Sequence, residues 1–401
     1  MAGGRLPCAT AFPPMPMLRF ALLLFLAATS FGAAPTKKNM STFERLSKND
    51  RSGTAWSVRV PDGPLVFTHQ IAPPATAGDA AAQAAGALQA LAGVLAGAGS
   101  DLTRVVRLNA YVADDAAVPA IDAAVAAQFA ATPVAFTLSC TPLTVPGARV
   151  MFEAVATTAR APGAAEILER AAVLPAGGKI FISGQVERGT DLASGCTATM
   201  AGLYRSLEHF GLKKSDVVQV KAFFRPVADP AAATRAIAAS FGGGPVPPII
   251  LQEWRSDTWV EIELVASARA LPAKAGESIT YTWLPWLTAS PRYCNIAHVM
   301  PGVPLIFIGE VSGGDTNDPR TQMKTIFERL GSILFEAGSS YRNLAKATYY
   351  LKDATARALL GDIRGVYYDP TRAPAASALG VESFGRPGRA AALDMIAVPG
   401  Q

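Results

Sequence analysis

Three times along this chain, a helix-length segment ends at a glycine and is followed by an eight-residue apolar run. In the clearest copy, 321–353, Met323, Ile326, Phe327, Leu330, Ile333 and Leu334 step by three or four, which is the buried stripe of an amphipathic helix. Gly338 follows the last periodic residue, where a left-handed cap needs a residue without Cβ. Leu344 to Leu351 then alternates as a strand, and Asp353 opens the next turn. The same unit recurs at 80–114, with Gly99 as cap and Val105–Val112 as strand, and at 196–229, with Gly211 and Val217–Phe224. The cap glycines lie 112 and 127 residues apart, so the chain is a tandem repeat before it is anything else.

The flanks repeat too. A second helical segment follows each unit, at 116–131, 230–240 and 354–367, closed by Pro133, Pro245 and Pro374 ahead of a strand. A last strand carries an acid before an apolar end: Glu153 in MFEAVA, Glu263 in IEIELVA, Asp394 in AALDMIA. Each unit is preceded by a strand entering a polar turn, at 65–70, 180–185 and 305–310. The expected domains are a signal peptide over 1–34 and repeats over 43–160, 166–269 and 279–398.

The signal peptide is read from Arg19, the apolar run at 21–28 and small residues near Gly32 and Ala34, with cleavage after Ala34. It makes the protein periplasmic or secreted, with no stable membrane insertion after cleavage. Cleavage removes Arg5 and Arg19 and no acid, lowering the net charge from +5 to +3. That weak charge, without a long Lys/Arg run, leaves no nucleic-acid footprint. Beyond the leader there are three cysteines, an odd number that leaves at least one thiol free. The three histidines occupy non-equivalent places in the repeats, and no metal or other cofactor is expected.

The turn FISGQ at 181–185, the glycine cap before each apolar strand, and VEIELVA at 260–266 together resemble the RidA/YjgF family, formerly endoribonuclease L-PSP. The resemblance implies an α+β fold of three chorismate-mutase-like units, each a mixed sheet with two helices on one face. Here they would form an intramolecular pseudo-trimer, and hence a monomeric chain. It also implies small-molecule sites in the clefts between neighbouring units, and hydrolysis of enamines or imines to 2-keto acids and ammonia.

In the family an arginine grips the substrate carboxylate, a task its planar fork suits. The matching positions here are Phe136, Ile249 and Ala376. The family glutamate that handles water or protonates carbon falls at Met151, Glu261 and Ala392, so Glu261 is the one catalytic candidate. Ser183 and Gly184 match the family turn, with Thr68-His69 and Ile308-Gly309 as expected counterparts, and Trp56 and Tyr293 match an aromatic that lines the cleft. Arg149, Arg255, Arg386 and Arg389 are the candidates to replace the missing cation. A carboxylate entering a cleft without one loses water for no return, so weak or absent deaminase activity and a preference for neutral or apolar ligands are expected. The alternative is a non-catalytic ligand-binding or structural pseudo-trimer of the cell envelope.

Overall fold

The computed structural model describes residues 43–400 apart from 50, 52 and 315; the expected signal peptide lies outside the described residues. The first repeat runs β1 (Glu44–Lys48), β2 (Thr54–Val60), β3 (Leu65–Thr68), α1 (Ala80–Gly97), β4 (Val105–Val112), α2 (Val118–Phe129), β5 (Val134–Cys140) and β6 (Val150–Thr157). The second runs β7 (Glu166–Ile167), β8 (Ala171–Leu174), β9 (Lys179–Gln185), α3 (Leu192–Glu208), β10 (Val217–Phe224), α4 (Pro230–Ala239), β11 (Ile249–Glu253) and β12 (Val260–Ser267). The third runs β13 (Ile279–Thr282), β14 (Ile296–Val299), β15 (Leu305–Ser312), α5 (Pro319–Glu336), β16 (Leu344–Leu351), α6 (Ala354–Tyr367), β17 (Ala375–Gly380) and β18 (Ala391–Ala397). The fold is α+β, with mixed sheets and two helices per repeat. Gly99, Gly211 and Gly338 all take φ near +70° (69°, 70° and 67°), where a Cβ would be strained. In the second repeat it is Pro248, not Pro245, that abuts the strand.

The second strand of each repeat (β2, β8, β14) escaped the sequence reading, and its pairing ties the repeats together. β8 pairs with β3 of the first repeat, β14 with β9 of the second, and β2 with β15 of the third. Each repeat thus gives one strand to the sheet of the repeat before it, and the third exchange joins the first and last repeats. Backbone groups that an isolated unit would leave at a sheet edge are paired in this way. The result is a twelve-stranded and a six-stranded sheet.

Each helix pair packs on its own sheet with its own apolar core; α1, for example, buries Leu88, Leu91 and Leu95 there. A fourth core lies between the repeats. Phe67, Phe181 and Phe307 meet in it at equivalent positions, opposite Val155, Val265 and Ile396 of their last strands. Polar contacts repeat as well. Arg107 Nη2 reaches Asp394 Oδ1 at 2.7 Å, Gln219 Nε2 reaches Glu153 Oε1 at 2.9 Å, and Lys346 Nζ reaches Glu263 Oε2 at 2.5 Å. At each junction an equivalent strand therefore addresses the last-strand acid of the preceding repeat. Buried, directional pairs of this kind favour one register over others. At the turn end, the Asp62 carboxylate accepts from Gly177 N, Gly302 N and Lys179 Nζ, pinning the three equivalent turns.

Candidate active site

Strand register defines three equivalent junctions. Phe136, Ile249 and Ala376 pair in parallel with Leu108, Val220 and Ala347, so the three family-arginine positions do correspond, and all three side chains are buried. The turn is different. Because Phe67, Phe181 and Phe307 share one register, the counterparts of Ser183-Gly184 are His69-Gln70 and Gly309-Glu310. The sequence match was one residue short in both repeats: it followed residue identity, whereas pairing with the last strand sets the register.

At the junction of the third and first repeats, Glu310 stands where the second repeat has Gly184, and Ala392 stands where it has Glu261. Glu310 Oε2 accepts from Arg51 Nη1 at 3.1 Å and from Leu138 N at 3.3 Å, with Arg386 Nε 3.8 Å from Oε1. Arg51 also donates to the Phe384 carbonyl, lies 3.5 Å from Asp122, and has its guanidinium 5.6 Å from the centre of the Phe136 ring. Burial raises the Glu310 carboxyl above its ordinary value, and Arg51 opposes that. This junction is filled by its own ion pair.

At the junction of the first and second repeats, the Gln70 carboxamide donates to Leu251 O at 2.9 Å and accepts from Leu251 N at 3.0 Å, closing the gap like a short strand. Met151, in place of Glu261, packs with Tyr111 and Ile250. Burial, and then the charge of Arg170, hold the His69 imidazole below its ordinary value.

The junction of the second and third repeats keeps the turn Ser183-Gly184 and the carboxyl of Glu261. Ser183 Oγ accepts from Ala376 N at 2.7 Å and donates to the Cys294 carbonyl at 2.6 Å, so its only proton is committed and it serves as a brace. A Cβ on Gly184 would stand 2.0 Å from Glu261 Oε1; glycine is what lets the Glu261 carboxyl lie against this turn. Burial pushes that carboxyl up to about 7, helped by the negative charge of Glu263, against Ser377, Lys346 and Arg357. Lys346 and Ser377, both of the third repeat, bind the Glu263 carboxylate. A carboxyl that changes protonation near neutrality beside a braced turn can donate and retrieve a proton.

The structure thus brings together Ser183, Gly184, Glu261 and Ala376, and separates from them Phe136 and Ile249, which serve the other two junctions. Trp56 is packed under Arg329 of α5, and the register gives it Asn295, not Tyr293, as its counterpart. Tyr293 lies against the core of the third repeat, which includes Ala376. Of the candidate replacement arginines, Arg149 and Arg255 are held in exposed pairs with Asp114 and Glu382, and Arg386 approaches Glu310 at the third–first junction. The sequence reading missed Arg357, on the first turns of α6, whose Nη2 donates to Ala378 O at 3.3 Å. Its only sequence signal is its place on the polar flank of an amphipathic helix. A concavity of about 580 Å³ at the turn end, lined by Pro64, Pro162, Gly177, Arg269 and Pro301, offers no acid–base group.

The model of the endoribonuclease L-PSP family matches residues 65–158 and 308–398, in the first and third repeats. The RutC family protein slr0709 of Synechocystis is 40% identical over 60 residues, 15% of this chain and 46% of that protein, so this chain spans under half of that relative. Among solved structures, Rv2704 of Mycobacterium tuberculosis, of the YjgF/YER057c/UK114 family, is 28% identical over 29% of this chain and 100% of its own, at TM-score 0.22. The Rid-family protein YyfB of Yersinia pestis is 26% identical over 28% and 97%, at TM-score 0.25. Two of the three repeats thus match the model of this family, and the chain is similar to RidA/YjgF proteins as a tandem repeat of such a unit.

Proposed function

We propose that this chain binds a small molecule at one working site, the junction of the second and third repeats, and acts there as a divergent imine or enamine hydrolase. The observation that carries the reading is the Glu261 carboxyl, held against Gly184 and titrating near 7. In its acid form it delivers a proton to an enamine carbon. The resulting iminium takes up water, and the carbinolamine collapses to a ketone and ammonia, returning the proton balance to its start. A proton donor near neutrality accelerates such a step by roughly a hundredfold or more. The experiment mixes the protein with imines generated in situ by an amino-acid oxidase and follows 2-keto acid release. Wild type should exceed the background rate, and Glu261→Gln should fall to it; equal rates in the two proteins would remove Glu261 from the chemistry.

A second reading, a non-catalytic ligand-binding or structural ring of the cell envelope, draws support from the two junctions closed by Arg51–Glu310 and by Gln70. The ligand-binding form of this reading shares with the first the expectation of a single ligand among the three junctions of each chain, the structural form expects none there, and neither form expects turnover. Export belongs to the same proposal and is tested by N-terminal sequencing: the envelope protein should begin near Pro35.

A further inference from the structure

We propose that a groove between β1 and α5 is a second binding site, and that it takes a neutral pyranose sugar. The inference stands apart from the working junction and from the reading given to it. Three observations carry it.

The first is a concavity of about 440 Å³ where the first repeat meets α5 of the third. Ser47, Lys48 and Trp56 line it from one side, and Arg329, Ile333 and Glu336 from the other. None of Phe136, Glu310 and Ala392 borders it, so it is distinct from the third–first junction, which its own ion pair fills. The second is a strained residue in its wall. Among the described residues, Ser47 is the one residue other than glycine whose φ lies in the left-handed region, at 37°. It does so inside β1, between the paired residues Leu46 and Lys48 and opposite Trp56. Its hydroxyl donates to Glu336 Oε1 of α5. Such strain persists where surrounding contacts fix it, and here the fixing contact sets a hydroxyl oxygen beside a carboxylate at the groove.

The third is the chemistry of the walls. The half-buried Trp56 indole and Ile333 give an apolar surface. Arg329, 5.5 Å from the centre of the indole ring and donating to Ser312 O at 3.2 Å, holds that ring in place. The rim carries acceptors in the Glu336 carboxylate and Ser47 Oγ, and a donor in Lys48. Lys48 and Arg329 stand against Glu336, so the charges nearly balance and the groove selects neither a strong anion nor a strong cation. A pyranose ring matches this set. Its axial C–H groups form a flat apolar face for an indole, whose own face is negative, and its hydroxyls donate and accept along the edge. A wholly apolar ligand would strip water from the rim and return no hydrogen bond.

The test titrates the protein with methyl β-D-glucopyranoside by calorimetry, with 2-oxobutanoate as competitor. Wild type should bind the glucoside, and 2-oxobutanoate should not displace it. Trp56→Leu should weaken binding about tenfold or more. Ser47→Gly, which accepts the left-handed backbone and removes the hydroxyl, should weaken it severalfold with the thermal melt unchanged. A serine kinked only to guard the edge of β1 against pairing would leave glucoside binding untouched in Ser47→Gly, and that result overturns the proposal. So does wild type that binds no glucoside, or binding that survives Trp56→Leu at full strength. Displacement by 2-oxobutanoate overturns the assigned ligand class, because the groove would then be selecting an anion.

Discussion

Replacing Glu261 by glutamine should make the protein more stable at alkaline pH while removing its acid. The carboxyl lies between Gly184 and the Glu263 charge, and burial followed by that charge raises it from an ordinary 4.5 to about 7. A shift of that size sets a penalty of about 3 kcal/mol on the ionised form in the folded state. The sign follows from proton counting. Between 4.5 and about 7 the folded chain holds a proton that the unfolded chain has released, so stability falls as pH rises through this window. Below it, wild type and Glu261→Gln should match. Above pH 8 the variant, which has no charge to bury, should be more stable by up to about 3 kcal/mol, an upper bound because relaxation and water penetration around a buried charge reduce its penalty. The groups facing Glu261 are Glu263, Ser377, Lys346 and Arg357, and none is altered by the substitution. Urea titrations at half-unit steps from pH 4.5 to 8.5 measure the difference directly. A constant offset across that range, or a variant less stable than wild type at pH 8, would refute the account of a strained buried carboxyl.

Other expectations follow from the same geometry. Gly184→Ala should expel the Glu261 carboxyl, since the new methyl would stand 2.0 Å from its oxygen, and turnover should drop to the Glu261→Gln level with the fold intact by circular dichroism. Lys346→Met should cost about 3–5 kcal/mol at pH 7 by leaving Glu263 buried without its cation, and adding Glu263→Gln should recover most of it in a double-mutant cycle. Phe307→Ala in the core between the repeats should destabilise by about 3–5 kcal/mol, measured by denaturant titration. Light scattering should find one chain per particle, because β2 on β15 closes the set of strand exchanges within the chain.

Much of the local structure is legible in the sequence because it is set by short-range chemistry. The glycine caps, the strands Val105–Val112, Val217–Phe224 and Leu344–Leu351, and the helix 354–367 stand where the apolar period and the left-handed cap require them. The acid of each last strand is legible for the same reason, whereas Glu261 was singled out by the family resemblance. Three things belong to the tertiary structure alone. The exchange of β2, β8 and β14 has no local signature, since a strand that pairs within its own repeat carries the same alternation as one that pairs with its neighbour. The turn equivalence of Ser183-Gly184 with Gly309-Glu310 depends on where each strand meets its partner, and a slip of one residue turns every side chain to the other face. One of the two cations felt at Glu261, Arg357, comes from a helix more than ninety residues away in sequence. Its place was decided by the packing of α6 against α5 and β16, because only folding brings residues so distant in the chain within reach of one another's charge.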